Sequence, residues 1–199
     1  VDGTPSRAGI EANERRLPRY ASCCKEANLL PIVEPEVRMA GDHSVQQGRE
    51  VTERVLRAVF DNLYEQRVML EGLILKPNMV LPGSTRSEQA SVDEVADATV
   101  RCLRAPLPAA VPAGVCRSAG HPRARASGRL NALNVRFQSR LPGALTLSLS
   151  RALQEPALGI WRGDAANVAA AQRALSHRAI CDRAACLGAY TEAIERESA

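Results

Sequence analysis

At 199 residues the chain is long enough for one domain with a substantial core, or for a piece of a larger one, and its hydrophobic fraction of 45% is ordinary for a globular protein. A formal charge of +4 permits a nucleic-acid or membrane partner without pointing to either. No stretch reaches the roughly 18 consecutive apolar residues of a membrane span.

The amino-terminal stretch, residues 1 to 16, is polar, lacks the apolar core of a signal peptide and begins on Val1 rather than methionine, so a fragment is expected. Residues 6 to 28 read as a helix capped by Ser6, with Pro18 in its middle as a breaker. LLPIVEPE, residues 29 to 36, is a short apolar run that fits a buried strand and closes on two carboxylates, Glu34 and Glu36. From Ser44 to Gln66 the apolar residues Val51, Val55, Val59 and Leu63 form one stripe of an amphipathic helix.

A strand over residues 71 to 76 ends in Lys76 and is stopped by Pro77. Ser91 and Glu94 have the spacing of a capping box for a helix whose stripe is Val92, Val95, Ala96 and Thr99. A weak strand over 111 to 116 leads into a basic, loop-like stretch, 117 to 129, and LNALN then suggests a short helix. A fourth strand, 144 to 150, runs into RALQEPALGIW, with Arg151 at the junction. Residues 164 to 186 read as a helix with Val168, Ala171, Leu175 and Ala179 on one face and Gly188 just past its end. The last stretch, 189 to 199, reads as a polar, mobile tail.

The order is helix, then strand and helix four times over, which argues for parallel strands with helical crossovers. The chemically suggestive residues fall at the carboxyl ends of strands, where βα-barrels build active sites. Lys76 stands out because, of 26 basic residues, only it and Lys25 are lysine. Arginine keeps its proton, whereas an ammonium among apolar groups can become a free amine and attack a carbonyl. A lysine snorkelling from a strand end fits this stretch equally well. Glu34 and Glu36, at i and i+2, would share one strand face if the strand continues; two solvated loop carboxylates are the plainer alternative.

Arg117, Arg123, Arg125 and Arg129 could offer a nucleic-acid patch, but no stacking aromatics accompany them, aromatic content is only 3%, and a solvated loop is the better reading. The six cysteines, Cys23, Cys24, Cys102, Cys116, Cys181 and Cys186, fall in no metal-ligand spacing. Reduced thiols in a cytoplasmic protein, with neither metal nor cofactor, are expected.

At PIVEPE, LEGLILKPNMVLPG and RALQEPAL, and again at HRAICDRAACLGAY, the sequence resembles the class I, Schiff-base-forming fructose-bisphosphate aldolases. The resemblance implies a TIM (β/α)8 barrel of the α/β class, of which this chain covers about four carboxy-terminal βα units over residues 1 to 188, followed by the tail. It implies cleavage of fructose 1,6-bisphosphate to dihydroxyacetone phosphate and glyceraldehyde 3-phosphate, with Lys76 forming the imine. In the same transfer Glu34 moves protons, Glu36 positions them both, and Arg151, Ser118 and Gly120 bind substrate phosphate. The partners implied are a sugar phosphate and, at full length, further copies in a tetramer, with no nucleic acid and no membrane.

Two departures stand against the family pattern. Residues 115 to 129 are disturbed, with Arg117 at an apolar position and Cys-Arg-Ser-Ala-Gly where the family has Leu-Ser-Gly-Gly; a local reading-frame disturbance would leave such a scrambled middle between matched flanks. Ser150 and Leu149 replace a glycine and a tyrosine ahead of Arg151. The family's catalytic aspartate and two further active-site lysines belong to strands earlier than any in this chain. A truncated, inactive aldolase fragment with at most a structural or interaction role is therefore the alternative reading. Four strands cannot close an eight-stranded barrel, so exposed edges and oligomerisation are expected.

Overall fold

Pro18 decides how the chain begins in the computed structural model, which describes residues 5–117, 123–137, 144–148 and 151–196. Its ring nitrogen cannot donate to the carbonyl of Glu14, and the expected single helix divides at Arg15 into α1 (Arg7–Glu14) and α2 (Arg16–Glu26). Ser6 caps α1 as expected, its hydroxyl accepting from the Gly9 N–H at 3.0 Å.

Two of the four strands are shorter than expected, again because of proline. β1 is confined to Ile32–Val33, flanked by Pro31 and Pro35, neither of which carries an N–H for a ladder. β2 is Ile74–Leu75, preceded by a single 3₁₀ turn over Leu70–Gly72 and closed by Pro77 two residues on. β3 (Ala113–Arg117) and β4 (Ala144–Ser148) are longer, and the four pair in sequence order, all parallel.

Register explains which face is covered. Val33, Leu75, Gly114 and Leu145 stand side by side and are buried beneath helices. Ile32, Ile74, Ala113 and Ala144 make the neighbouring row on the other face, and there Ile32 is 47% exposed. The covered face joins Leu56, Val59 and Leu63 of α3 (Val45–Glu65) in one core cluster; Cys116 joins Ala126, Leu130 and Leu133 in another.

The helices with clear caps are where the spacing placed them. Ser44 and Gln47 close a capping box on α3, and Val51, Val55, Val59 and Leu63 are all buried. Ser91 and Glu94 do the same for α4 (Val92–Arg104), with Val95, Ala96 and Thr99 buried. At Gly48 a Cβ would lie 2.7 Å from the Leu81 carbonyl oxygen, so only glycine lets the segment after β2 lie against α3.

Three expectations need correction. The basic stretch is not all loop: α5 runs Arg123–Phe137, because arginine and alanine favour helix and Ala126, Leu130 and Leu133 supply a buried stripe. Arg129 is buried there and Arg125 exposed, while the side chains of Arg117 and Arg123 lie outside the described residues. α6 is Arg151–Trp161, and α7 (Val168–Cys186) does not bury the stripe of Val168, Leu175 and Ala179; it turns Ala171, Arg178, Cys181, Asp182 and Ala185 inward. Polar groups on that face find partners, which apolar periodicity cannot reveal.

The segment read as a mobile tail carries α8 (Glu192–Arg196) and is tied down, Tyr190 N–H donating to Asn131 Oδ1 and its hydroxyl to Glu195. α7 itself ends as expected in a left-handed Gly188 (φ 70°), with Ala189 N–H donating to the Ala184 carbonyl and Gly188 N–H to that of Ala185. No helix among the described residues is long and apolar enough to cross a membrane.

Candidate active site

The ladder between β1 and β2 continues one bond beyond the strands, the Lys76 N–H donating to the Val33 carbonyl at 2.8 Å. With Ile32 opposite Ile74 and Val33 opposite Leu75, Glu34 and Lys76 form the next rung. Val33 and Leu75 point into the helices, so by alternation Glu34 and Lys76 emerge on the open face at the carboxyl ends of the strands. There the Lys76 Nζ donates to Glu34 Oε2 at 3.0 Å, with both side chains half-buried.

The loops behind the pair are knitted together. Gly83 N–H donates to the His43 carbonyl at 2.8 Å, Ser84 N–H to Met39 at 2.7 Å and Thr85 N–H to Gly41 at 3.0 Å. A Cβ on Gly83 would fall 2.1 Å from the Gly41 carbonyl oxygen, so this seam requires glycine. Beneath it, buried Asn78 accepts from the Val37 N–H at 3.1 Å and donates to the Met79 carbonyl and to Thr52 Oγ1. Asn78 thus fixes the segment after Glu34 to the segment after Lys76. Sequence reasoning assigned it no role, although an amide two residues past a strand-ending lysine, in a run otherwise apolar, was a signal for a buried polar tie.

The two lysines differ plainly. Lys25 donates its ammonium to the Gly72 carbonyl, fastening α2 to the turn before β2, while Lys76 faces a carboxylate on the open side of the sheet. Glu36, exposed and three residues past the end of β1, lines a cavity with residues of α1 and α3. Arg151 is the first residue of α6, three residues past the end of β4, though its side chain lies outside the described residues. Ser118 and Gly120 also lie outside them. Among the described residues no cluster of His, Cys, Asp and Glu could hold a metal ion.

A family model described as fructose-bisphosphate aldolase class-I matches residues 1–199. A probable class 1 fructose-bisphosphate aldolase of Xylella fastidiosa (strain Temecula1) is 46% identical over 190 residues, covering 95% of this chain and 56% of that protein. The fructose-bisphosphate aldolase of Dictyostelium discoideum is 44% identical over 187 residues, covering 94% of this chain and 52% of its own length. A solved structure of the aldolase from Plasmodium falciparum superposes with a TM-score of 0.91 at 41% identity, over 95% of this chain and 54% of that one. The chain thus spans about half the length of the relatives it matches, and its four parallel βα units are part of a TIM-barrel-type fold. By sequence and by fold, this chain belongs to the class I fructose-bisphosphate aldolase family.

Proposed function

We propose that the chain carries the Schiff-base chemistry of a class I fructose-bisphosphate aldolase, the reversible cleavage of fructose 1,6-bisphosphate to dihydroxyacetone phosphate and glyceraldehyde 3-phosphate in the cytoplasm. The observation that supports it most is the Lys76–Glu34 pair, 3.0 Å apart on the open face at the strand ends. In this reading the Lys76 amine attacks the ketose C2 carbonyl to give a carbinolamine. Glu34 then delivers the proton with which the hydroxyl leaves as water, and the protonated imine remains. That imine takes up the electron pair of the C3–C4 bond as the C4 hydroxyl proton passes to a base, which the family carries on an earlier strand. Glyceraldehyde 3-phosphate leaves; protonation of the enamine and hydrolysis release dihydroxyacetone phosphate and restore the amine.

Glu36 is assigned to orienting this pair, and Asn78, which holds the backbone at Val37, is assigned as a positioning residue. Arg151, Ser118 and Gly120 are assigned to the substrate phosphate, for which arginine's planar fork is suited. Association with further copies, as in the full-length family, belongs to the same reading. Borohydride reduction in the presence of dihydroxyacetone phosphate tests it. Intact mass should rise by one reduced adduct in the wild type and stay unchanged in Lys76→Arg. An unmodified wild type would favour the alternative of an inactive fragment.

A further inference from the structure

β2 has only two ladder residues, yet the segment that continues it carries Lys76. Ile74 stands between Ile32 and Ala113, and Leu75 between Val33 and Gly114. A slip of one residue against these neighbours would turn Lys76 under the helices, and the alternation of faces forbids it. A slip of two is not forbidden in that way. Leu73 and Leu75 are both fully buried, so one leucine would take the other's place in the core while Lys76 moved about 7 Å along the strand, away from Glu34. Backbone ladder bonds repeat every two residues and do not choose between these registers.

Two side-chain bonds do choose, one four residues before Lys76 and one four residues after it. On the amino-terminal side, the Lys25 ammonium of α2 donates to the Gly72 carbonyl. A Cβ on Gly72 would fall 2.2 Å from that Nζ, so glycine leaves the ammonium its place. On the other side, fully buried Thr99 of α4 accepts at Oγ1 from the Val80 N–H at 3.0 Å. The first bond is charge-assisted, and loss of the second leaves a buried N–H without its acceptor. We propose that Lys25 and Thr99 are positioning residues: together they brace the Lys76 segment at both ends and set the register that holds Lys76 3.0 Å from Glu34. Their effect on imine trapping rests on the Schiff-base reading of Lys76, whereas the brace itself belongs to the resting fold and is measured without substrate.

Lysine-selective ¹³C labelling tests this, because a chain with two lysines gives two sets of side-chain signals and Lys25→Met leaves only that of Lys76. Thr99→Val keeps the side-chain shape and removes the acceptor, and Thr99→Ser keeps the acceptor. Expected is a displaced Lys76 ¹³Cε signal in Lys25→Met and in Thr99→Val, restored in Thr99→Ser and unmoved in Ser91→Ala, which loosens α4 at its cap without touching the brace. Borohydride trapping with dihydroxyacetone phosphate, per folded molecule, should slow by about fivefold or more in Lys25→Met and Thr99→Val, since small misplacements of a reacting group are costly, and should stay close to the wild-type rate in Thr99→Ser. A Lys76 signal unmoved in both Lys25→Met and Thr99→Val would overturn the brace. So would an equal displacement in Ser91→Ala, or wild-type trapping rates in Lys25→Met and Thr99→Val. An untrapped wild type would count against the imine reading alone, and the lysine signal would then decide the brace.

Discussion

Two charged clusters in this molecule are built to opposite plans. At the ends of β1 and β2, Lys76 and Glu34 form a pair with side chains 23% and 35% exposed, the ammonium donating to the carboxylate at 3.0 Å. Between α5, α7 and α8, Arg178 has a side chain only 5% exposed and donates to Glu195 and to Ser127 Oγ, while lying 3.7 Å from Asp182. Ser127 in turn donates to Asp182 at 2.6 Å, and Tyr190 to the second oxygen of Glu195 at 2.9 Å. The second cluster directs its charges at one another around a buried guanidinium. The first sets the proposed nucleophile and proton carrier at the strand ends, on the face of the sheet away from the helices. Charge alone does not mark a site; its place in the fold does.

Removing a partner from the sealed cluster should have the largest effect on stability. Arg178→Met leaves buried Asp182 and half-buried Glu195 without their cation and should cost about 3 kcal/mol in urea unfolding. Burial pulls Glu195 upward, but hydrogen bonds from Arg178 and Tyr190 outweigh it and hold the carboxyl below its ordinary value. That contribution is present above the ordinary glutamate pKa and is lost as pH falls through the lowered one. The acid limb of the wild-type stability profile should therefore flatten in Arg178→Met. Imine trapping per folded molecule should not change. A variant that kept its stability but lost trapping would erase the distinction between the clusters.

Glu14 tests the same distinction with the sign reversed. Its carboxyl is raised to about 7 by burial, so the folded state favours the protonated form; stability is full at low pH and declines as pH rises from the ordinary glutamate range towards 7. Glu14→Gln should be more stable than wild type at pH 8 by up to about 3 kcal/mol and indistinguishable near pH 4, measured by denaturant midpoints. A pH-independent difference would mean that the carboxyl is not desolvated.

At the open site, Asn78→Ala removes the acceptor for the Val37 N–H and should cost about 2 kcal/mol. It should also slow trapping by the lysine more than its stability loss explains, whereas Asn78→Asp, which keeps the acceptor, should recover part of the rate. The smallest effect belongs to Ser91→Ala, a cap remote from both clusters, at about 1 kcal/mol and no change in trapping.

Most of what positions the lysine could be read from the residues. The stripe of Val51, Val55, Val59 and Leu63, the box of Ser91 with Glu94, and the strand-ending Glu34 and Lys76 are local patterns, and each is where its spacing put it. What could not be read depends on long-range partners. Asn78 acquires its role from Val37 and Thr52, 41 and 26 residues away in sequence. The inward face of α7 is polar because Ser127 and Glu195 come to meet it. Proline shortened two strands more than apolar runs suggested, and α5 was obscured by a basic composition that buries Ser127 and Arg129 beside Ala126 and Leu130. The proposed phosphate end of the site, around Ser118, Gly120 and the Arg151 side chain, lies outside the described residues.

The central claim is that one lysine of two is the nucleophile, and peptide mapping after borohydride reduction with dihydroxyacetone phosphate tests it most directly. Lys25 is tied to the Gly72 carbonyl and Lys76 faces Glu34 on the open face, so the adduct should be confined to the peptide bearing Lys76 and should form more slowly in Glu34→Gln. An adduct on the Lys25 peptide, or label shared equally between the two, would contradict the assignment.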